Sequence, residues 1–179
     1  KTIQKQIKQI ENLVNEFSDF ARMPKPLLKK NNLYEVIHEN IILLNKIDQN
    51  IKIKLINHLS KDNFVNFDYE QFNRLFFNLI KNSIESIQEK SQKDSKIDKN
   101  IDIEIRGRSD YIIINLFDTG IGFKNKNTKD LIKPYFTTKE KGTGLGLSIV
   151  DKIISDHNGS INFLNQKNGA KIQIIIPNK

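Results

Sequence analysis

From residue 2 to residue 21 the apolar positions Ile3, Ile7, Ile10, Val14, Phe17 and Ala21 recur at spacings of four, three, four, three and four, the a/d seam of a heptad repeat. This predicts a helix with a narrow apolar stripe that seeks a helical partner, in an intermolecular bundle rather than on its own domain. Met23-Pro24-Lys25-Pro26 then stops the helix, because proline lacks the amide donor and also disfavours helix at the residue before it. Residues 1–23 are therefore expected to be a helical segment, 24–32 a linker and 33–179 the main domain.

Beyond the prolines the periodicity changes. Leu33 to Ile47 reads as an amphipathic helix, and Ile51-Lys52-Ile53-Lys54-Leu55 alternates as a strand. Asp68 is placed to cap the next helix, with Gln71 in the reciprocal capping-box position, and the helix runs to about Lys90. The polar stretch Lys90 to Asn100 predicts a mobile loop. Strands are expected at Ile101 to Ile105 and Tyr111 to Phe117, a helix from the glycine-rich junction to about His157, and strands near Ser160 to Leu164 and Ala170 to Ile176. Two hairpin-like strand pairs with about three helices, lacking regular strand-helix alternation, predict an α+β fold with helices layered on one face of a mixed sheet.

The composition narrows the function classes. No cysteine means no disulfide framework and no thiolate metal site, which suits a reducing cytoplasm. No apolar run approaches the roughly 18 residues that span a bilayer, so no membrane contact is expected of this stretch, although its parent is compatible with an inner-membrane anchor. The formal charge of +8 comes from scattered lysines without interleaved aromatics, so nucleic acid is not an expected partner.

Three segments carry candidate chemistry. Gly142-Thr143-Gly144-Leu145-Gly146-Leu147 runs directly into the apolar stretch Ser148 to Ile154, bringing close-approaching backbone N–H groups to a helix N-terminus, as a phosphate site requires. Leu147 stands where the dinucleotide fingerprint needs glycine, and no Gly-Lys-Ser/Thr follows, so Rossmann and P-loop folds are disfavoured. On the helix after Asp68, Gln71, Arg74, Asn78, Asn82 and Glu85 share one face opposite Phe72, Phe76, Leu79 and Ser83. Asparagine has modest helix propensity, and an asparagine oxygen suits Mg²⁺, a hard cation that keeps waters beside substrate phosphates. Finally, Asp118-Thr119-Gly120-Ile121-Gly122 follows an apolar strand. A carboxylate delivered there accepts from the exocyclic amino group of adenine and opposes the carbonyl of guanine, which predicts ATP over GTP. Between the glycine segments, Lys124 to Asp130 reads as a polar lid, Phe136 as its anchor, and Lys139 and Lys141 as cations beside the last glycines.

In order, Asn78-x-x-x-Asn82, Asp118-x-Gly120-x-Gly122, Pro134-Tyr135-Phe136-Thr137-Thr138-Lys139 and Gly142-x-Gly144-x-Gly146 resemble the N, G1, F and G2 boxes of sensor histidine kinases. The resemblance covers about Leu33 to the C-terminus. Glu16-Phe17-Ser18-Asp19-Phe20-Ala21-Arg22 and the Pro-Tyr-Phe-Thr-Thr-Lys lid look most like the nitrogen-regulation subgroup, and the heptad helix looks like the second helix of the dimerisation and phosphotransfer bundle. The resemblance implies a two-layer α/β sandwich of the Bergerat ATP-binding type, with ATP and Mg²⁺ as cofactors, a homodimer through the N-terminal helix and a response-regulator receiver domain as partner. It implies Asn82 as the metal ligand, Asp118 as the adenine reader, and Asn78 as a catalytic residue supporting the metal and phosphate end. Gly120, Gly122, Phe136, Thr138, Gly142, Thr143, Gly144, Leu145 and Gly146 would line the nucleotide. The chemistry implied is phosphoryl transfer, dominated by positioning and charge neutralisation.

Two departures from the pattern stand out. Glu85 takes a place where many histidine kinases carry a basic residue near the phosphates, so the catalytic cation is expected to be Lys139 or, alternatively, Lys141. The acceptor histidine of the family sits on the preceding helix, which puts it before Lys1. His38 followed by Glu39 imitates the acceptor motif but lies after the proline boundary and is expected to be structural; His58 has no better case, and His157 reads as part of a helix end. Two alternatives follow from the same residues: a DNA-linked ATPase of the same superfamily, disfavoured because Asn78 stands where such enzymes carry a water-activating glutamate, and a partner-binding module with a vestigial nucleotide site.

Overall fold

The computed structural model describes residues 2–59, 64–123, 128–139 and 142–178. Helix α1 (Thr2–Ala21) ends at the prolines, and strand β1 (Lys29–Asn32) leads into α2 (Leu33–Leu44). Strands β2 (Lys52–Asn57) and β3 (Phe64–Phe67) precede the long α3 (Tyr69–Lys93). Next come β4 (Asn100–Gly107), β5 (Tyr111–Asp118), a 3₁₀ turn (Thr128–Ile132), α4 (Gly146–Asp156), β6 (Ser160–Gln166) and β7 (Gly169–Pro177).

Five strands form one mixed sheet in the order β2-β4-β5-β7-β6. β2 runs parallel to β4, with α3 in the crossover between them, and the remaining neighbours are antiparallel. Alternation sets the two faces. Ile103, Leu116 and Ile172 lie in register across the three central strands, as do Ile105, Ile114 and Ile174, and all six are buried. The opposite face is polar: Gln173 donates to Asn115 at 3.1 Å, and the Lys171 ammonium lies 5.3 Å from the Phe117 ring centre. The apolar face forms one core with the buried residues of α2, α3 and α4, giving the two-layer α+β sandwich expected.

Strands β1 and β3 form a separate antiparallel pair. The residue pattern did not signal it, because Lys29-Lys30-Asn31-Asn32 is neither alternating nor β-prone. This strand falls inside the stretch read as linker. It is held by pairing to β3, whose Val65 and Phe67 are buried, and by the Asn31 amide donating to the Phe67 carbonyl at 2.7 Å.

The capping box at α3 forms only by half. The Asp68 carboxylate accepts from the Gln71 N–H at 3.1 Å, but the reciprocal bond is absent. The Asp68 N–H instead donates to His157 Nε2 at 3.0 Å, while the Gln71 side chain is buried and donates to the Pro24 carbonyl at 3.0 Å. Gln71, which periodicity groups with Arg74, Asn78 and Asn82, is thus buried and ties the proline segment to α3. Helix α2 stops three residues short of Ile47, with Asn45 at its C-cap, and α3 continues to Lys93, shortening the expected loop.

Along α1, Ile3, Ile7, Ile10, Val14 and Phe17 remain 46–72% exposed, while Leu13 and Phe20 turn toward the core. Among the described residues the heptad seam from Ile3 to Val14 thus stays open, while Phe17 at its end meets the ring of Tyr135.

Candidate functional site

Asp118 ends β5 between two neighbouring strands, opposite Ile101 on β4 and Ala170 on β7. It is 7% exposed. Its Oδ1 accepts from the Gly120 N–H at 2.9 Å and its Oδ2 from the Ser83 hydroxyl at 3.2 Å. Burial pushes the carboxyl above its usual pKa, and the opposing pull of the Gly120 N–H, Ser83, the Ala170 N–H and Lys90 does not cancel that effect. Among the described residues, the Gly120 and Ser83 hydrogen bonds occupy only part of the roughly four acceptor positions of an ionised carboxylate, so acceptor capacity stays open.

The loop after Asp118 is fastened by α3 and β6. The Ser86 hydroxyl accepts from the Ile121 N–H at 3.1 Å, and the Lys90 ammonium donates to the Thr119 carbonyl at 2.9 Å. The Asn165 amide accepts from the Phe123 N–H at 2.7 Å and donates to the Phe123 carbonyl at 3.0 Å, imitating a strand pairing just beyond Gly122.

One turn back along α3, Asn78 and Asn82 face the start of α4. A Cβ built on Gly146 would stand 3.3 Å from Asn78 Oδ1 and 3.8 Å from Asn82 Nδ2. Asn78 donates to the Arg74 carbonyl at 2.9 Å, which turns its amide hydrogens along the helix and its oxygen toward Gly146. Helix α4 opens without a side-chain cap: Leu145 is its N-cap, and the Ser148 hydroxyl donates backward to the Leu145 carbonyl. Among the described residues, the N-cap thus supplies no side-chain acceptor to the first N–H groups of the helix, the local condition for anion binding.

The lid returns to this corner. Phe136 packs against the core as its anchor. Thr137 and Thr138 are exposed, and the Lys139 ammonium donates to Asn82 Oδ1 at 3.0 Å and pairs with the Glu85 carboxylate. Gly144, at φ +72°, passes the backbone of Tyr135, where an added Cβ would come within 2.5 Å of a carbonyl carbon. Its lack of a side chain serves lid packing directly. The lid also touches α1: Thr143 donates to Glu16 at 2.6 Å, and Tyr135 stacks on Phe17 with centroids 6.1 Å apart. Lys124 to Asn127 of the lid, and Lys141, lie outside the described residues.

The motifs predicted from the sequence therefore meet along one helix. Asn78, Asn82, Lys139 and Gly146 gather at one end, and Asp118 and Gly120 near Ser83 and Ser86 toward the other. Sequence reasoning missed Ser83, Ser86, Lys90 and Asn165. Ser83, Ser86 and Lys90 follow one another at spacings of three and four, so a run of small hydroxyls on a mostly apolar stripe was the available signal. Asn165 gave no signal, because its partner is 42 residues away. His38 is exposed and stacks on Tyr34, whereas His157 is buried at the end of α4.

Among the described residues no group of three or more His, Cys, Asp or Glu side chains is arranged to hold a metal. The donor chemistry nonetheless fits a hard cation that completes its shell with phosphate and water, because Asn82 Oδ1 and the Glu85 carboxylate already converge on one cationic group. A cavity of about 600 Å³ lined by Leu28, Phe72, Tyr111, His157 and Pro177 shares none of these residues.

Residues 67–179 match the family model described as histidine kinase-, DNA gyrase B-, and HSP90-like ATPase. The nitrogen regulation protein NtrY of Azorhizobium caulinodans is 32% identical over 160 residues, covering 89% of this chain and 20% of that protein. Sporulation kinase E of Bacillus subtilis is 30% identical, covering 89% and 21% respectively. The chain thus spans about a fifth of the length of these relatives. Among solved structures, the catalytic domain of histidine kinase ThkA superposes with a TM-score of 0.73 at 27% identity, covering 85% of this chain and 96% of that one. A complex of ThkA with the response regulator protein TrrA superposes at 0.77 over 99% of this chain and 50% of that one; at 24% identity this likeness speaks to the fold.

Proposed function

Since this chain belongs to the histidine kinase-, DNA gyrase B- and HSP90-like ATPase family, we propose that its cleft binds Mg-ATP and serves the phosphoryl-transfer step of a sensor histidine kinase. The observation that carries the reading is the division of α3. Ser83 engages a buried carboxylate that retains open acceptor capacity, and Asn82, one residue earlier, offers its oxygen to a cation beside a helix N-terminus without a side-chain cap.

In this reading Asp118 accepts from the adenine amino group, with Gly120 and Gly122 bounding the base. Asn82 would hold Mg²⁺, which supplies charge neutralisation for the phosphates when bound. The first N–H groups of α4, reached past Gly142, Thr143, Gly144, Leu145 and Gly146, receive phosphate oxygens. Phe136 and Thr138 carry the lid above them. Asn78 positions this corner through its oxygen facing Gly146. An amide is no general base, so water is not activated at Asn78, and transfer to a histidine is favoured over hydrolysis. That histidine lies on a bundle helix of the parent protein, and the phosphoryl group passes on to a response-regulator aspartate.

Calorimetry with Mg-ATP and Mg-GTP tests the base assignment, with ATP binding expected to be tighter by about tenfold or more, because a buried carboxylate facing the guanine carbonyl is left unpaired. Equal affinities would reject it. Phosphohistidine formed on a separately supplied acceptor helix of the parent under Mg-ATP tests the transfer; no phosphohistidine, despite ATP binding, would favour a partner-binding role.

The exposed seam supports a homodimer through α1. Val14→Asp is expected to move the chain from dimer toward monomer in sedimentation at micromolar concentration, as a charge in a heptad seam is left buried and unpaired. A monomeric parent chain would refute the dimer. No helix among the described residues is long and apolar enough to cross a membrane.

A further inference from the structure

Asn82 and Glu85 stand three residues apart on one face of α3, and both give an oxygen to the same group, the Lys139 ammonium from the lid. The arrangement is asymmetric. Lys81, on the same helix, reaches only the other Glu85 oxygen, at 4.0 Å, so Oε2 of Glu85 and Oδ1 of Asn82 are left for Lys139. The lysine backbone is held within its own turn: its N–H donates to Thr137 Oγ1 at 3.1 Å and its carbonyl accepts from Gly142 at 3.2 Å. A convergent carboxylate and amide oxygen satisfy a divalent cation by the same hard-oxygen chemistry that satisfies an ammonium. They cannot serve both, because two cations within one coordination distance repel strongly.

We propose that Lys139 is a built-in counter-ion for the Asn82 and Glu85 oxygens and is exchanged for the divalent cation on loading. Glu85 is then a second protein oxygen of the cation site, and the displaced ammonium becomes available to the phosphates. This assigns a role to the carboxylate that replaces a basic residue at position 85: the basic charge is supplied from the lid instead, and only after the metal has arrived. The contacts of Tyr135 with Phe17 and of Thr143 with Glu16 are separate from this exchange, so it frees the turn around Lys139 without undocking the lid from α1.

The inference rests on the nucleotide-site reading above, and its test separates the two. Mn²⁺ binding to the nucleotide-free chain is followed by electron paramagnetic resonance of the free ion. Lys139→Met is expected to tighten Mn²⁺ about tenfold, the scale of one lost competing charge, and Glu85→Gln in that background to reverse the gain. Lys139→Arg, which keeps the charge, should bind Mn²⁺ as the parent does. Unchanged affinity in Lys139→Met, insensitivity to Glu85→Gln, or no Mn²⁺ binding to Lys139→Met would each overturn the exchange. Lys139→Gln gives a second neutral variant should the methionine disturb folding as judged by circular dichroism. Mg-ATP binding is measured by calorimetry on the same proteins: its absence in the unsubstituted chain would sink the nucleotide reading, whereas Mg-ATP binding with unmoved Mn²⁺ affinity would sink the exchange alone.

Discussion

Asp118→Asn is expected to weaken ATP binding about 10- to 100-fold, the value of a hydrogen bond to a charged group of about 1.5–3 kcal/mol, while leaving the fold at least as stable at neutral pH. The two effects have one cause. The carboxyl is buried, and burial raises its folded pKa above the ordinary 3.8. The native state therefore holds the proton more tightly than the unfolded chain, and this group makes stability decline as pH rises from 3.8 through the native value. Asparagine removes that buried charge, keeps an acceptor for the Gly120 N–H, and presents an amide in place of the second carboxylate oxygen. ATP binding has the opposite pH dependence, because the ionised form is the better acceptor for the adenine amino group. Affinity should fall as pH is lowered through the raised pKa, and the Asp118→Asn variant should show a flatter profile. Denaturant melts and calorimetry in a series of buffers rising from the ordinary 3.8 to neutral pH measure both. A variant that binds ATP as tightly as the parent, or one that is strongly destabilised at neutral pH, would remove Asp118 from the base-reading role.

What could be read from the residues alone was governed by range. The faces of α3 and the ends of β5 and α4 are local matters, fixed by periodicity and by Asp or Gly at a boundary, and Asn78, Asn82, Asp118 and Gly146 lie where that reading put them, at helix faces and element ends. The two-layer α+β class followed from the same periodicities. Strand β1 was illegible because its conformation comes from β3 rather than from Lys29-Lys30-Asn31-Asn32. The capping box failed for a similar reason: His157, 89 residues away, takes the Asp68 N–H that Gln71 was expected to satisfy. The glycines show the same limit. Their spacing pointed to close approach by a ligand, yet Gly144 is demanded by the Tyr135 backbone, a partner that spacing cannot name.

Gly169 carries this furthest, since no sequence signal marked it. It opens β7 at φ +116°, beside the end of β5, and a Cβ built on it would stand 1.8 Å from the Asp118 carbonyl oxygen and 2.9 Å from Thr119 Cα. Neither atom can yield cheaply. Asp118 is registered against Ile101 on one side and Ala170 on the other, and Thr119 is tied through its hydroxyl to the Asp98 carbonyl at 2.6 Å. Gly169→Ala therefore adds overpacking of about 1–3 kcal/mol to positive-φ strain of about 1–3 kcal/mol, for an expected loss of about 2–6 kcal/mol in urea unfolding. Because the clash falls on the backbone that aims Asp118, ATP affinity should drop even where the variant remains folded. Gly146→Ala is the control. Its Cβ would meet the Asn78 side-chain oxygen at 3.3 Å, which needs only a few tenths of an ångström of movement, and alanine favours the first turn of α4. Its stability is expected to stay within about 1 kcal/mol of the parent. A Gly169→Ala loss no larger than the Gly146→Ala change would mean that the end of β5 is free to shift, and the rigid placement of Asp118 would then have to be abandoned.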